Sequence, residues 1–304
     1  MQIFKKLHIR WVEGVLNMLN DVPLLKEYRV DKIILYLTCI DKFHLNRLGQ
    51  KNCVYQLFKN EYDKPIESFD KGIFRGMVIP TLNYLGFLTG SGEFIKVSAN
   101  GKLIVESNKI NKDLNEQVLM VLMYELDESI YHFLHHIEKT PKYNQEQFSD
   151  VVFFELPNIS KKQRSERIKK WLSILSQVNL IEISKQNEIV LNQDNLEKIR
   201  KMVNPKIFPI NKFEKILLNS YVKMSSNRAR LVEIEELRET VSINLLKENN
   251  FILTEKMFDI FLTKIIQNPG RKIFSLGKPM GKQEKLFKFK ENYFKTLNIE
   301  KDEG

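Results

Sequence analysis

Six cations and one acid fall within ten residues of this chain: Lys161, Lys162, Arg164, Arg167, Lys169 and Lys170, against Glu166. Helical spacing gathers Ile168, Trp171, Leu172 and Leu175 on one side. Lys162, Gln163, Glu166, Lys169 and Lys170 fall on the other side, with Arg167 beside them. An apolar side that anchors a helix and a donor-rich side turned outward is the build that groove reading requires. Lysines neutralise phosphates whatever the sequence, whereas Gln163 and an arginine can address base edges through paired hydrogen bonds. A solvated charged face has the same composition, so the elements around this helix must decide.

A second basic segment runs from Arg271 to Tyr293. Arg271, Lys272, Lys278, Lys282, Lys285, Lys288 and Lys290 outweigh Glu284 and Glu291, a net of +5. Two glycines in "GKPMGKQEK" would let a loop follow a phosphate backbone closely. The string is close to a nucleotide phosphate loop, but its spacing is one residue short. Gln283 also stands where a metal-binding Ser or Thr is needed, which excludes that chemistry. A thinner set, Lys71 and Arg75, lies on a helix before the hairpin "FLTGSGEFIKV", whose turn carries Ser91, Glu93 and Lys96. That hairpin reads as structural, with its preceding helix as the contact.

Metal and hydrolytic chemistry fare worse. In "ELDESIYHFLHH", Glu128, His132 and His135 share a helical face and His136 is adjacent, a set that zinc would accept. Tyr131, Phe133 and Leu134 make the stretch a packing helix instead, and no HExxH string or cysteine cluster accompanies it. No (D/E)xK triplet occurs, so the acid and lysine of a metal-dependent nuclease strand are missing. Neither a GxSxG elbow nor a glycine-rich dinucleotide fingerprint is present. The expectation is a non-enzymatic protein with no cofactor and no metal.

The whole-chain balance fits an anionic partner. The 304 residues carry 48 Lys and Arg against 38 Asp and Glu, a net of +10, which favours nucleic acid over a membrane surface. No apolar run reaches the ~20 residues of a membrane span. The start, "MQIFKKLHIRWVEG", has no secretory pattern. Cys39 and Cys53 are too few for a disulfide framework, so the expectation is a reduced, cytoplasmic protein.

The elements that would position these residues repeat. "DKIILYLTCI" and "CVYQLFKN" read as helices, then "ESFDKGIFRGMVIPTLNYLGFL" as a third, kinked or divided at Pro80 and ended by Gly86. A hairpin follows. The order returns with a helix capped by Ser160, strand "LIEIS", turn "KQNE" and strand "IVLN". After Pro209 it returns again, with helices "FEKILLNSYVKM", "IEELRETVSINLL" and, capped by Thr254, "TEKMFDIFLTKII". "RKIFSL" and "LFKFKENYF" would then enclose the basic loop as a wing.

On "LNYLGFLTGSGEFIKVSANGKLI" and "RIKKWLSILSQVNLIEISKQNEIVLN", the chain resembles winged helix-turn-helix proteins. The tandem arrangement resembles the DNA-recognition half of FokI-type (Type IIS) restriction endonucleases. The pattern covers 30–107, 115–200 and 211–298, the third copy departing from it with a longer, more basic wing. The resemblance implies a mostly helical fold with small β-hairpins, in three units at 1–110, 111–205 and 206–304. It also implies sequence-specific binding of double-stranded DNA, supplying target recognition to a separate nuclease, restriction or defence system, or replication complex. Two alternatives stand beside it: a transcriptional regulator, and a protein–protein scaffold subunit. The acidic "VEIEELRETV" and an outward Asp259 and Ile260 would serve the scaffold.

Overall fold

The computed structural model describes residues 24–61, 65–139, 143–144, 147–149, 160–225, 231–270, 272–279 and 285–301. Over these residues the chain is mostly helical with small antiparallel hairpins. No described helix is long and apolar enough to cross a membrane. The chain divides into two compact units. Unit I joins Met1–Ile33 to Leu119–Ile199, and unit II joins Ile34–Val118 to Arg200–Gly304. The second copy of the repeat falls largely in unit I, and the first and third fall largely in unit II.

In the first copy, α1 (Val30–Lys42) and α2 (Arg47–Phe58) precede a long helix in three parts: α3 (Ile66–Phe69), a π-helical segment (Asp70–Val78) and α4 (Ile79–Tyr84). Proline lacks an N–H and its ring collides with the carbonyl four residues back. The widened π turn just before Pro80 accommodates it, and Ile79 N–H donates to Phe74 O. Gly86, at φ +74°, then ends the helix. Phe87 N–H reaches back to Leu82 O at 2.9 Å and Gly86 N–H to Asn83 O at 2.9 Å, which satisfies carbonyls the helix end would orphan. β1 (Leu88–Thr89) and β2 (Lys96–Val97) pair antiparallel, and Ser98 caps α5 (Ala99–Ile110).

The cysteine expectation is corrected here. Cys39 of α1 and Cys53 of α2 form a disulfide, with Cα atoms 5.6 Å apart and 14 residues between them in sequence. Two cysteines make no framework, but one bond suffices to tie two helices together.

The second copy repeats the frame. α6 (Lys112–Leu126), a π turn (Asp127–Tyr131) and α7 (Phe133–Lys139) lead to β3 (Tyr143–Asn144) and α8 (Lys161–Gln177). Asn179, at φ +58°, takes the place of the glycine, with Leu180 N–H on Leu175 O at 2.9 Å and Asn179 N–H on Ser176 O at 3.0 Å. Asparagine is the next most tolerant residue of that conformation. β4 (Ile181–Ile183) and β5 (Glu188–Leu191) follow, and Asn192 side-chain oxygen accepts from Asn195 N–H at the start of α9 (Gln193–Met202). The sheet order is β3-β5-β4.

The third copy has α10 (Ile210–Ser225), β6 (Val232–Glu233), α11 (Ile234–Asn249), α12 (Glu255–Gln267), β7 (Lys272–Gly277), β8 (Phe287–Phe289), β9 (Asn292–Phe294) and β10 (Thr296–Lys301). Its sheet order, β6-β10-β7, again places the returning strand in the middle. The expected wing pairing is corrected. "RKIFSL" pairs not with "LFKFKENYF" but with β10, from Gly277↔Thr296 to Lys272↔Lys301. β8 and β9 close on each other as a separate ribbon, Lys288 opposite Tyr293. Phe287, fully buried, anchors that ribbon in a core built on Phe213, Phe258 and Phe261.

Within unit II, α11 packs along α5, and charges match across the contact. Glu235 meets Lys96 at 3.6 Å, while Lys102 bridges Asp41 and Glu239. The acidic stretch expected to await a protein partner is thus partnered inside the chain. Asp259 is corrected likewise: it accepts from Arg238, 2.7 Å away and 2% exposed, and Ile260 is only half-exposed.

Candidate nucleic-acid interface

α8 begins with a reciprocal cap. Ser160 side chain accepts from Gln163 N–H at 3.4 Å, and Gln163 side-chain oxygen accepts from Ser160 N–H at 3.3 Å. Ile168, Trp171, Leu172, Ile174 and Leu175 are buried and hold the helix down. Lys161, Lys162, Gln163, Glu166 and Lys169 are exposed, whereas Arg164, Arg167 and Lys170 are half-buried. Lys170 is drawn to Glu166, 3.0 Å away. Gln163 therefore already has a structural task, which competes with the base-reading role its sequence position implied.

The first turn of α8 contains no acid and three cations, Lys161, Lys162 and Arg164. The positive end of a helix dipole disfavours each cation there by roughly 0.3–1 kcal/mol. The arrangement works against helix stability and concentrates positive potential at one exposed end. An anion is the ligand such a surface attracts.

The third copy distributes its cations differently. Arg271 and Lys282 lie outside the described residues. Lys272 pairs with Glu214 at 2.7 Å. Lys285 donates to both oxygens of Glu255, at 3.0 and 2.9 Å, and to Gly86 O, so it ties the ribbon to the first turn of α12. Burial raises Glu255, but Lys285, Arg238 and Asn100 N–H together hold it below the ordinary carboxylate value. Burial lifts Asp259 above its ordinary value against the pull of Arg238. Lys278, Lys288 and Lys290 remain exposed, with Lys288 over the Tyr293 ring at 5.8 Å. On α12 itself only Lys256, Lys264 and Gln267 are exposed, so its length is enclosed.

In the first copy, Lys71 and Arg75 are both exposed on the π segment, and Arg75 pairs with Asp70 at 2.7 Å. Residues five apart meet because a π turn is wider than an α turn. The sequence reading missed Arg47 and Lys51 of α2, which line a cleft beside them. Their spacing of four residues was the available signal.

The histidine stretch does not form one helical face. His132, at φ +55°, breaks the helix, and α7 starts afresh at Phe133. Asp127 caps it, accepting from Phe133 and Leu134 N–H, both at 3.0 Å. Burial pushes Asp127 up to about 7 despite these two donors. Burial and the neighbouring cations lower His136. Among the described residues, no group of three or more His, Cys, Asp or Glu side chains could hold a metal ion. No protein-family model, no curated protein and no solved structure matches this chain.

Proposed function

We propose that this chain is a sequence-specific double-stranded DNA-binding protein built of tandem winged-helix units. It supplies target recognition to a separate nuclease, a restriction or defence system, or a replication complex, and does no chemistry itself. In this reading it works in the cytoplasm. The observation that carries the proposal is α8, whose first turn exposes Lys161 and Lys162 against the dipole and whose third turn exposes Lys169, while Trp171 and its neighbours pin the opposite side. The helix sits immediately before a strand–turn–strand, the position of a reading helix in a winged-helix unit. Lys162 and Lys169 take phosphates, and Arg167 reaches base edges. Lys278, Lys288 and Lys290 on the third copy add backbone contacts. The scaffold alternative loses support, because Glu235, Glu239 and Asp259 face cations of this chain.

Fluorescence anisotropy on labelled duplex DNA tests the proposal. With about six phosphate contacts, affinity should fall on the order of 10³-fold between roughly 50 and 200 mM salt. Lys162→Ala with Lys169→Ala should weaken every sequence alike, and Arg167→Ala should relax preference at one base position. A flat salt response, or no binding at low salt, refutes the reading.

A further inference from the structure

We propose that the cleft between α2 and the π segment of unit II is a second nucleic-acid site. A backbone phosphate would sit among Arg47, Lys51 and Arg75, and Phe94 would lie at the rim against the adjoining sugar and base. This rests on the DNA-binding reading but uses none of the α8 residues.

The cleft measures about 270 Å³ and is lined by Arg47, Leu48, Lys51, Asp70, Arg75 and Glu93. Arg47, in the first turn of α2, is half-buried, with its guanidinium 4.8 Å from the Phe74 ring. Its one hydrogen bond within the described residues is long, 3.4 Å to Gly92 O. A guanidinium carries five N–H donors, so most of them lack a protein acceptor in a place that is partly shielded from water. Lys51, one turn further along, has no ion pair within the described residues. Arg75 is committed to Asp70, although its side chain is still 60% exposed. Three cations against two acids leave one positive charge, the complement of one phosphodiester.

The wall is unusual as well. Nine residues of π helix are a costly conformation, frequent at functional sites. A β-carbon at Gly76 would come within 2.9 Å of Lys71 O, so the wall needs glycine there.

Phe94 is 72% exposed, the highest value among the large apolar side chains described. It cannot simply fold inward. Its N–H donates to Ser91 O at 3.1 Å, and the next residue, Ile95, is buried. Ile95 O accepts from the fully buried Gln50 of α2 at 3.0 Å. The buried Ile95 and its carbonyl bond to Gln50 fix the backbone that leaves Phe94 outward. An exposed apolar ring one residue beyond Glu93 of the cleft wall suits a nucleic-acid strand, whose phosphates and apolar sugar faces lie a few ångströms apart.

The test compares full-length variants by anisotropy on the same duplex across a salt series, with circular dichroism melts to check folding. Arg47→Ala with Lys51→Ala should weaken binding and flatten the slope of log affinity against log salt by about 1 or more. Phe94→Ala, at an exposed turn that tolerates truncation, should weaken binding by roughly threefold or more, the loss of a part-buried apolar contact, and leave the slope unchanged. It keeps the test open should the double variant unfold. Unchanged affinity in folded Arg47→Ala/Lys51→Ala and in Phe94→Ala, beside weakened binding in Lys162→Ala/Lys169→Ala, overturns this site alone. Absence of wild-type binding overturns both readings.

Discussion

Replacing Asp127 with asparagine should reverse the order of stability between acid and neutral pH. Asp127 is 3% exposed and caps α7 through two backbone N–H groups. Burial raises its carboxyl from 3.8 to about 7 in the folded chain. A carboxyl whose folded value is raised binds its proton more tightly in the native state than in the unfolded chain. Its stabilising contribution is therefore fully present below pH ~4, falls as pH rises, and is lost above about pH 7. The shift of about three units is worth at most roughly 4 kcal/mol. Asparagine stays neutral, so it removes that slope. Its single oxygen satisfies only one of the two N–H groups, a loss of about 1 kcal/mol. Asp127→Asn should thus be slightly less stable than the parent near pH 4 and more stable, by up to about 3 kcal/mol, at pH 8. Trp171 reports the change locally, because it lines the same small void as Asp127. Urea unfolding in a Trp11→Phe background, followed by Trp171 emission at both pH values, supplies the measurement. A difference between parent and variant that does not change sign with pH would refute the reasoning.

Arg238→Ala should destabilise unit II by about 2–3 kcal/mol, because it removes a buried guanidinium, leaves the part-exposed Asp259 without its cation and frees Lys285 O; a midpoint within a degree of the parent would contradict this. Mass spectrometry without reductant should find Cys39 and Cys53 two hydrogens short. Breaking that bond should lower stability by about 3 kcal/mol for a closed loop of this length, read by thermal melts with and without dithiothreitol. Supercoiled plasmid incubated with the purified chain and Mg²⁺ or Mn²⁺ should stay intact; nicking that co-purifies and vanishes in Glu128→Ala would make the 125–136 stretch an active site.

What the sequence made legible was local. The stripe of Ile168, Trp171, Leu172 and Leu175 is a helical period, and a period needs no knowledge of the rest of the chain. The helix end at Gly86 and the caps Ser160 and Thr254 belong to the same class. What was not legible depends on distant partners. The β8–β9 ribbon turns at Lys290 and Glu291, with Lys290 at φ +53° and neither glycine nor asparagine to announce it. Strand pairing then went to β10, which a reading confined to neighbouring segments could not choose. Asp259 fell outward on a helical projection only while Arg238, 21 residues away, was not placed beside it. The cysteine pair failed for the same reason, since composition counts thiols but does not bring two helices together. Arg47 and Lys51 escaped notice because a cation pair on a short helix is commonplace. Their significance comes from the cleft that the π segment and the turn at Phe94 complete.

The surroundings of a helix that precedes a strand decide what its surface can do. α8 leads into the β4–β5 hairpin and α12 into β7, whose partner β10 returns only after the β8–β9 ribbon, and both helices start at a hydroxyl cap. Around α12 the chain supplies counter-charges: Glu255 meets Lys285, and Asp259 meets Arg238. Asn100 and Glu255 exchange hydrogen bonds at 3.1 and 2.9 Å, which closes the first turn against α5. Opening that turn to a groove would expose a buried carboxylate and break several charged contacts at once, at a cost no single phosphate contact offsets. α12 is therefore a fastening between the first and third copies. α8 keeps five residues of its first three turns exposed, with cations crowded at the end where the dipole opposes them. Substituting Lys161 and Lys162 with glutamate should accordingly stabilise unit I by a few tenths to ~1 kcal/mol per site while abolishing the proposed DNA binding. A loss of both properties together would mean that the cations hold the helix in place rather than await a ligand.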